Sequence, residues 1–345
     1  MNNRRLLMIS TDRQVFDKKS NVAMRQIQFA KDWDAIYILV FAQKGMYPKT
    51  ADLSENCHVY STESASKFLY PFDAIALGKK IIAQNNVTEI TCQDSSLTAM
   101  AGVALKKKFD IPLEIQIHTD IGSPYFAKSL TNKIRLHMAK KYLLKANKIR
   151  VVSGRIKDYV QSLLDRVGIK IPIEIRPIAV NENEIKNTPI IEGGDLHQKY
   201  QKFDQIVLMA SRLEKEKNIE LAINSWASVT KDFPRAGLVI VGSGSQLSGL
   251  KAIVSSKKLD NSVIFENWLD KDMLYSYFKT ADIFLNTSFF EGYGMTLKEA
   301  SAVGAVIVST DVGIAQEVGA VIVENDPADL AQKLKSILSQ IVTKK

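Results

Sequence analysis

Residues 288–300 read Ser-Phe-Phe-Glu-Gly-Tyr-Gly-Met-Thr-Leu-Lys-Glu-Ala, and they decide how the rest of the chain is interpreted. The apolar run 283–286 before them predicts a buried strand, and the residues after Gly294 predict a helix that ends near Gly304. A helix that begins directly after such a turn presents unpaired backbone N–H groups and the positive end of its dipole. The sequence therefore predicts an anion-binding site at this turn.

Two glycines and two carboxylates flank the predicted anion site. Gly292 and Gly294 leave room for a ligand to approach the backbone. Glu291 lies in the turn, and Glu299 lies about one turn into the helix. An ionised carboxylate can accept two hydroxyl protons, so the pair suits a sugar. The alternative is that Glu291 caps the helix and Glu299 is an ordinary acid near its start.

Outward from this stretch, short β-rich runs alternate with helical patterns, which predicts parallel sheets with crossover helices. The predicted strands are Arg5–Ser10, Ile36–Ala42, Glu89–Cys92, Leu113–His118, Ile149–Ser153 and Ile173–Ile178, then Gln205–Ala210, Leu238–Val241, Val263–Phe265, Ile283–Asn286 and Ala305–Ser309. Proline, glycine and asparagine interrupt this rhythm after Pro177. We therefore expect an α/β chain of two Rossmann-like doubly wound domains facing across a cleft, at 1–180 and 205–345, with a linker at 181–204.

Composition narrows the class of protein. Hydrophobic residues make up 46% of the 345 residues and charged residues 24%, as in soluble globular proteins. No apolar run is long enough to serve as a signal peptide or to span a bilayer. Cys57 and Cys92 have no metal-site spacing, so we expect reduced core thiols in a cytoplasmic protein.

Positive charge is concentrated in the first half of the chain. Residues 1–190 contain 29 Lys and Arg against 18 Asp and Glu, whereas residues 191–345 contain 17 against 19. The segment 128–157 has ten basic residues and no acidic one. Such a field favours an anionic partner, and a solvated basic face is the alternative. With Tyr142 as its single aromatic residue and no recognised motif, the segment does not favour nucleic acid.

Three motifs together resemble a known family. The first is Glu-Gly-Tyr-Gly-(x)4-Glu-Ala-(x)3-Gly from Glu291 to Gly304, followed by Val306–Gly313. The second is Ser-Arg-Leu-(x)3-Lys-Asn from Ser211, and the third is the predicted strand at 238–241 that runs into Gly-Ser-Gly-Ser. In this order they resemble family 4 retaining glycosyltransferases of the GT-B fold, and the resemblance covers the second half of the chain.

The resemblance implies a role for each matching residue. Arg212 and Lys217 would hold the donor diphosphate, which suits the planar fork of an arginine and the point charge of a lysine. Glu299 would hold the ribose, and Glu291 would position the sugar. The implied donor-binding set is Arg212, Lys217, Gly242, Gly292, Tyr293, Gly294, Met295, Thr296 and Glu299, and the implied catalytic set is Glu291, His118, Arg212 and Lys217.

The first half matches the family less closely. In the family a histidine at the end of a comparable strand contacts the donor sugar, which makes His118 the candidate here, although a lone strand-end histidine is more often structural. The family usually has a glycine pair after its first strand, whereas the segment 11–22 contains no glycine. Asn218 stands where the family usually has glycine. The chain also ends soon after its last predicted helix, whereas family members generally continue.

No metal or other cofactor is expected. Asp270-Lys271-Asp272 matches the Asp-x-Asp with which another glycosyltransferase fold holds a metal, but Asp270 also suits the N-cap of the helix that follows. In the resembling family the segment 266–269 lines the nucleotide base. The Arg212/Lys217 pair and the helix start at 295–296 already supply positive charge.

The function that we expect is retaining hexosyl transfer from a nucleotide-diphosphate sugar to a glycan or lipid-linked acceptor, in cell-surface polysaccharide synthesis. The donor would bind residues 205–345 and the acceptor residues 1–180. The alternatives are a related GT-B enzyme, either a sugar-nucleotide epimerase or a phosphorylase, and a catalytically weak nucleotide-sugar-binding protein.

The basic segment 128–157 overlaps a predicted helix whose apolar positions, Leu130, Ile134, Met138 and Leu144, are expected to face inward. Its lysines and arginines would then lie on an exposed face. We therefore expect peripheral attachment to the anionic inner face of the membrane, with a solvated helix as the alternative.

Overall fold

Parallel strands form the centre of the first of two units. The structure is a computed structural model that describes residues 4–342; the first unit ends at Arg176 and the second begins at Pro177. Within the described residues, the first unit contains β1 (Arg5–Ser10), β2 (Ala35–Val40), β3 (Thr50–Ser54), β4 (Cys57–Ser61), β5 (Glu89–Cys92), β6 (Leu113–Ile117), β7 (Lys148–Val151) and β8 (Ile173–Ile175).

These strands lie in the order β3-β4-β2-β1-β5-β6-β7-β8, and the β3–β4 pair is antiparallel while the other pairs are parallel. Every residue of β2 is buried, as expected for a strand with helices on both faces. The helices of this unit are α1 (Asn21–Ala30), α2 (Tyr70–Asn85), α3 (Leu97–Phe109), α4 (Leu130–Leu143) and α5 (Gly154–Arg166).

The second unit repeats the scheme with a parallel sheet in the order β11-β10-β9-β12-β13-β14. Its strands are β9 (Gln205–Ala210), β10 (Ala236–Val241), β11 (Val263–Glu266), β12 (Ile283–Asn286), β13 (Ile307–Thr310) and β14 (Val321–Val323). Its helices are α6 (Glu182–Asn187), α7 (Leu196–Lys199), α8 (Ile219–Asp232), α9 (Leu247–Ser256), α10 (Lys271–Thr280), α11 (Met295–Ala302) and α12 (Pro327–Val342).

The core of the second unit forms between its sheet and α8, α9 and α12. Trp226 of α8 is fully buried in it, and every residue of β9 and β10 is buried on one face of the sheet or the other. The strand order reverses between β9, the first strand of the unit, and its neighbour β12, the fourth. In sheets of this kind, the loops that follow the two strands at such a reversal diverge and leave a crevice for ligands. The fold therefore predicts a ligand site after β9 and β12.

The predicted strands are present, with ends that differ by at most three residues, but three further strands were not predicted. β3 and β4 form a hairpin whose first strand is polar and largely exposed, so it lacks the apolar signal of the buried strands. β14 has three residues, which is too short for a periodic pattern. Such strands are recognised from their partners rather than from their own sequence.

Residues 181–204 lie inside the second unit, where the sequence suggested a linker. Ser276 Oγ and Thr280 Oγ1 of α10 accept hydrogen bonds from the backbone N–H groups of Ile191 and Leu196, at 3.1 and 3.2 Å. An ion pair of 2.6 Å joins Glu182 of α6 to Lys298 of α11. The segment has no clear apolar period because polar contacts hold most of it to the domain.

Helix α4 does not bury the face that its sequence suggested. Leu130 and Ile134 are 75% and 55% exposed, whereas Ala139 and Leu143 are buried. The prediction of an inward-facing Leu130 and Ile134 was therefore wrong. The N-terminal half of α4 presents apolar and basic side chains together on the surface.

The cysteine prediction is confirmed. Cys57 and Cys92 are free and buried, and burial raises the pKa of the Cys57 thiol to about 11 and that of Cys92 well above its usual range. Both are therefore protonated core side chains at neutral pH. None of the helices found between residues 4 and 342 has the length and apolar character needed to cross a bilayer.

Candidate functional site

Three hydrogen bonds join the loops that follow β9 and β12. The backbone N–H of Phe289 donates to the carbonyl of Glu216 at 2.8 Å. The hydroxyl of Thr287 lies 3.0 Å from the carbonyl oxygens of both Lys217 and Asn218. The two motif segments, about 70 residues apart in sequence, are thereby held edge to edge.

Lys217 and Glu291 meet at this junction. The ammonium Nζ of Lys217 lies 2.6 Å from Oε1 of Glu291, and the two side chains are only 15% and 16% exposed. The Ser288 hydroxyl lies 2.7 Å from the same carboxylate oxygen. Asn218 follows Lys217 in the left-handed region at φ +48°, which asparagine tolerates better than most residues, and so replaces the glycine common in the resembling family.

Arg212 lies on the same loop but pairs with a different carboxylate. Its Nη2 lies 2.7 Å from Oε1 of Glu216, and the arginine side chain is 64% exposed. One guanidinium nitrogen is used in this contact, and a guanidinium carries five N–H donors. Arg212 is therefore oriented by Glu216 while much of it faces solvent.

The helix after the junction begins without a side-chain cap. Its N-cap residue, Gly294, has φ +90° and, as a glycine, has no side chain with which to cap α11. The structure differs from the alternative in which Glu291 caps this helix: Gly294 is the N-cap residue, and Oε1 of Glu291 is bonded to Lys217 and Ser288. Met295 and Thr296 form the start of the helix, and Met295 is 37% exposed. The helix start thus has the features from which the sequence predicted an anion site, and anion binding there stays a prediction.

A glycine after β13 supports the turn. A side chain at Gly313 would place its Cβ 2.3 Å from the carbonyl oxygen of Tyr293. That carbonyl accepts a hydrogen bond from Ile314 N–H at 3.0 Å. The Tyr293 ring is buried, which raises the pKa of its hydroxyl. Gly292 lies in the same turn. The buried Tyr293 ring therefore supports the conformation of the turn. Donor binding by Tyr293 stays a prediction.

Glu299 of α11 is partly buried. Burial raises the pKa of its carboxyl to about 7, and the charge of Lys271 on α10 acts in the opposite direction. The neighbouring Tyr275, also on α10, is buried and has its pKa raised to about 12, in part by Glu299. Glu299 is thus not the ordinary solvated acid of the alternative interpretation. Near neutral pH it can either donate or accept a hydrogen bond.

Gly242 has a clear structural reason to be glycine. It has φ +144°, and a Cβ there would lie 1.9 Å from the carbonyl oxygen of Ser211. Gly244 is also close to a backbone carbonyl, since a Cβ at this position would lie 2.4 Å from the carbonyl oxygen of Leu213. The loop after β10 therefore packs backbone against backbone on the loop that carries Arg212. Its sequence is explained by this contact, and direct donor binding by Gly242 stays a prediction.

Asp270 caps helix α10, as predicted. Its carboxylate accepts a hydrogen bond from the backbone N–H of Met273 at 2.9 Å. Among residues 4–342 no group of three or more His, Cys, Asp or Glu side chains is arranged to hold a metal ion.

Glu266, at the end of β11, is held by two elements of the second unit. Its carboxylate accepts hydrogen bonds from Lys199 Nζ at 2.9 Å and from the hydroxyl of Tyr277 at 2.8 Å. The Tyr200 hydroxyl donates to it as well. The Glu266 carboxylate thus anchors the first residue of the segment 266–269, which the resemblance assigns to the nucleotide base.

His118 follows β6 in the first unit. Its Nε2 lies 3.1 Å from Oε1 of Gln116. Partial desolvation by the surrounding protein, followed by the positive charge of Arg150, lowers the pKa of its imidazole to about 4. The residue nevertheless keeps a solvent-exposed surface. His118 is therefore neutral at pH 7, and its role toward a donor sugar stays a prediction.

The loop after β1 folds without glycine. It forms a short 3-10 helix, Arg13–Phe16, in which the Asp12 carboxylate accepts from Gln14 N–H at 3.0 Å. The Ser10 hydroxyl bonds Gln93 Oε1 at 2.6 Å, across the point where this sheet reverses its strand order. A cavity of about 640 Å³ lies beside the loop. Side chains, rather than a glycine-rich backbone, line this part of the first unit.

The sequence did not single out two residues of the site. Glu216 orients Arg212, and Thr287 joins the two loops. Glu216 carried a detectable signal, since it lies four residues after Arg212, a spacing at which opposite charges pair on helices. Thr287 carried none, because its role depends on a partner 70 positions earlier in the sequence.

Comparison with known proteins matches this part of the chain to a family. Residues 195–343 match the family described as Glycosyl transferases group 1. Alpha-monoglucosyldiacylglycerol synthase of Streptococcus pneumoniae is 26% identical over 239 residues, which cover 67% of this chain and 53% of that protein. Poly(glycerol-phosphate) alpha-glucosyltransferase of Bacillus subtilis is 32% identical over 111 residues, which cover 32% and 16%. The matched regions thus span about half or less of these relatives.

A solved structure confirms the fold class. Sucrose-phosphate synthase from Thermosynechococcus elongatus matches with a TM-score of 0.77 and 18% identity, covering 97% of this chain and 90% of that one. The chain has the α/β, two-domain GT-B fold that the sequence predicted.

Proposed function

We propose that this chain, with its match to Glycosyl transferases group 1, is a retaining glycosyltransferase that uses a nucleotide-diphosphate sugar. One observation carries the proposal: Lys217 and Glu291 meet beside the uncapped start of α11, at the strand reversal of the second unit. A cation, a helix dipole and a carboxylate at one crevice suit a ligand that is anionic at one end and rich in hydroxyl groups at the other.

The anionic part of the donor would bind first to the cations. Arg212 is the more exposed, and a rotation of its side chain away from Glu216 would bring a planar fork of donors to phosphate oxygens. Lys217 is fixed by Glu291 and adds a positioned point charge. The N–H groups at the start of α11 complete the site. These groups would stabilise the nucleoside diphosphate as it leaves.

The sugar would lie against Glu291. The Lys217 contact holds this carboxylate beside the group that binds phosphate, where the bond between sugar and phosphate must lie. The second carboxylate oxygen can then accept hydroxyl protons of the sugar. As that bond breaks, the sugar gains oxocarbenium character while the positive charges lower the barrier without a covalent nucleophile. Retention would follow from attack on the same face.

Glu299 would bind the ribose. A partly buried carboxylate with few competing partners is well placed to accept two hydroxyl protons. The segment 266–269 would contact the base, and Glu266 would hold its first residue in place. The neutral imidazole of His118 would contact the sugar, and the first unit would bind the acceptor.

The acceptor that we propose is a glycan or a lipid-linked sugar at an anionic membrane surface. Helix α3 packs against both α2 and α4, so these three helices lie side by side. Phe68, in the 3-10 turn just before α2, and Phe72, in the first turn of α2, are 89% and 56% exposed, and Leu130 and Ile134 lie exposed on α4. A surface that combines large apolar side chains with lysines is suited to binding at the interface of an anionic bilayer.

One experiment tests the enzyme assignment. The protein is screened against a panel of nucleotide-sugars for thermal stabilisation, since a ligand that binds the native state alone raises the melting temperature. The stabilising donor is then incubated with glycan and glycolipid acceptors with and without EDTA, and the anomeric configuration of the product is read by NMR. Transfer with retention, unaffected by EDTA, supports the proposal. Inversion, epimerised donor or a requirement for inorganic phosphate would contradict it.

A second experiment tests the membrane surface. Vesicles that contain an anionic lipid should co-sediment the wild-type protein at low salt, and a Phe68→Ser/Leu130→Ser variant should remain in solution. Equal sedimentation of both proteins, or sedimentation that high salt does not reduce, would overturn the proposed attachment.

A further inference from the structure

A cavity of about 320 Å³ lies within the second unit, beside the loop that carries Arg212 and Lys217. Residues from this loop, from the start of α8, from α9 and from the loop after β12 line it. Neither Arg212 nor Lys217 is among the lining residues. The volume is at the lower end of the range for small-molecule sites and accommodates about one ring with substituents.

A glycine lies in the wall of this cavity. Gly249 lies inside helix α9, where glycine costs about 1 kcal/mol relative to alanine. It has no positive φ that would require glycine, and an added Cβ would meet no atom within 4 Å. Neither backbone conformation nor close packing therefore explains this glycine. Gly249 is exposed, and its lack of a side chain leaves open space beside the cavity that it lines.

The cavity lining combines apolar and polar residues. We call its apolar residues the floor and its polar residues the rim. Ile219, Leu250 and Ile253 provide aliphatic surface, and the Phe289 side chain adds an aromatic one. A pyranose ring presents C–H groups on its faces and hydroxyl groups around its edge. The floor therefore matches the faces of such a ring.

Around the rim, Glu214 and Glu220 offer carboxylate oxygens, and Lys215 and Gln246 offer N–H donors. The carboxylate of Glu214 is oriented by Ser245, whose backbone N–H and hydroxyl donate to its two oxygens at 2.9 and 2.6 Å. Each of these oxygens has a further lone pair for a hydroxyl proton. Two carboxylates against one lysine disfavour an anionic ligand such as a nucleotide.

We infer that this cavity is a second carbohydrate site, which binds a neutral pyranose or one residue of a glycan and is separate from the donor site. Gly249 provides the space, Phe289 and the aliphatic floor contact the faces of the ring, and Glu214 and Glu220 accept its hydroxyl protons. The inference does not rest on the proposed glycosyl transfer, because it follows from the cavity and its lining.

The test uses methyl α-D-glucopyranoside, methyl α-D-galactopyranoside and N-acetylglucosamine as probes, titrated by ligand-observed saturation-transfer NMR. We expect the wild-type protein to bind at least one probe with a dissociation constant in the millimolar range. Gly249→Leu should weaken binding at least tenfold, since its side chain fills the cavity. Lys251→Leu, a substitution on the same helix outside the cavity lining, should leave binding unchanged.

Two further variants complete the test. Glu220→Ala removes an exposed carboxylate from the rim without touching the core, and it should weaken pyranoside binding while the protein keeps its melting temperature. Arg212→Ala should leave pyranoside binding intact, whatever its effect on nucleotide-sugars. Absence of pyranoside binding by the wild type, or equal binding by wild type and a folded Gly249→Leu variant, would overturn the inference. Pyranoside binding without nucleotide-sugar binding would instead count against the proposed transferase.

Discussion

Lys217 Nζ and Glu291 Oε1, 74 residues apart in sequence, form a 2.6 Å ion pair from which water is largely excluded. Neither residue can be changed without leaving its partner as a poorly solvated charge. The pair therefore links the stability of the second unit to the two groups that we assign to phosphate and to sugar.

We expect Lys217→Met to destabilise the protein by about 1–3 kcal/mol, because the Glu291 carboxylate loses its charged partner in a poorly hydrated position. Urea unfolding measures the change. The double variant Lys217→Met/Glu291→Gln should recover part of the loss. Lys298→Met is the control, since its equally short pair with Glu182 is more exposed and should cost less than about 1 kcal/mol. Equal losses for Lys217→Met and Lys298→Met would show that burial of the first pair has no energetic effect.

Arg212→Ala should reduce kcat/KM for transfer by about 10²–10³, the typical loss when one group that stabilises a developing negative charge is removed. The free energy of unfolding should change by less than about 0.5 kcal/mol, because the side chain is mostly exposed. Arg235→Ala, which breaks a surface pair with Asp204, is the control and should keep wild-type kinetics. Near-normal turnover of Arg212→Ala would exclude its proposed role.

Glu216→Ala should reduce kcat/KM by about tenfold, less than Arg212→Ala, because a carboxylate that only orients the guanidinium acts indirectly. In the Arg212→Ala background it should have no further effect, and this double-mutant cycle is the measurement. Glu216→Gln, which keeps an acceptor oxygen, should restore most of the activity. Asp232→Ala, which removes an exposed carboxylate at the end of α8, serves as the control. Additive losses would mean that Glu216 acts independently of Arg212.

The affinity for a nucleotide-sugar should rise with pH and level off above about pH 8. The Glu299 carboxyl has its pKa raised to about 7, and ribose hydroxyls would favour its ionised form. One pH unit below that value, about a tenth of the carboxyl is ionised, so affinity should be about tenfold below its maximum. Calorimetric titration of wild type and Glu299→Gln from pH 6 to 8 measures this. The variant should bind weakly and independently of pH; a wild-type profile that is flat would contradict the ribose contact.

The same carboxyl should affect stability in the opposite direction. Its folded pKa lies above the ordinary value for glutamate, so between about pH 4.5 and 7 the folded protein keeps a proton that the unfolded chain releases. This contribution to stability is complete at the acidic end of the window and is lost as the pH rises through it. Glu299→Gln should flatten that part of the profile of unfolding free energy against pH.

Gly242→Ala should destabilise the protein by about 3 kcal/mol or more, because the new methyl group would overlap the carbonyl oxygen of Ser211 in a backbone conformation that alanine avoids. Thermal and urea unfolding measure the loss. Gly249→Ala is the matched control: it meets no neighbouring atom and lies in a helix, so it should stabilise by about 0.5–1 kcal/mol. Equal stability of the two variants would remove the structural explanation for Gly242.

The sequence predicted the buried strands and the helices that flank the site because these elements carry their own periodic signal. It also brought Arg212, Lys217, Glu291 and Glu299 to one unit, since their motifs follow β9 and β12, two strands of the same predicted domain. The β3–β4 hairpin and β14 were missed because their strands are short or exposed and depend on neighbours for their conformation.

Pairing within the site was less predictable. Glu291 could equally have capped α11, and the choice in favour of Lys217 depends on the alignment of two loops 70 residues apart. The pKa of Glu299 depends likewise on α10, which packs over it and excludes water. Such properties arise from tertiary packing and leave no local pattern in the sequence.

The contacts of residues 181–204 with α10 and α11 bear on how this chain can be recombined with its relatives. A chimera joined at residue 205 would take α10 and α11 from one parent and the segment 181–204, which contacts them, from the other. It would have to re-create the Glu182–Lys298 pair and the hydroxyl contacts of Ser276 and Thr280 with foreign residues. The natural crossover point is therefore the peptide bond between Arg176 and Pro177. A chimera joined there keeps the segment 181–204 together with the α10 and α11 of the same parent.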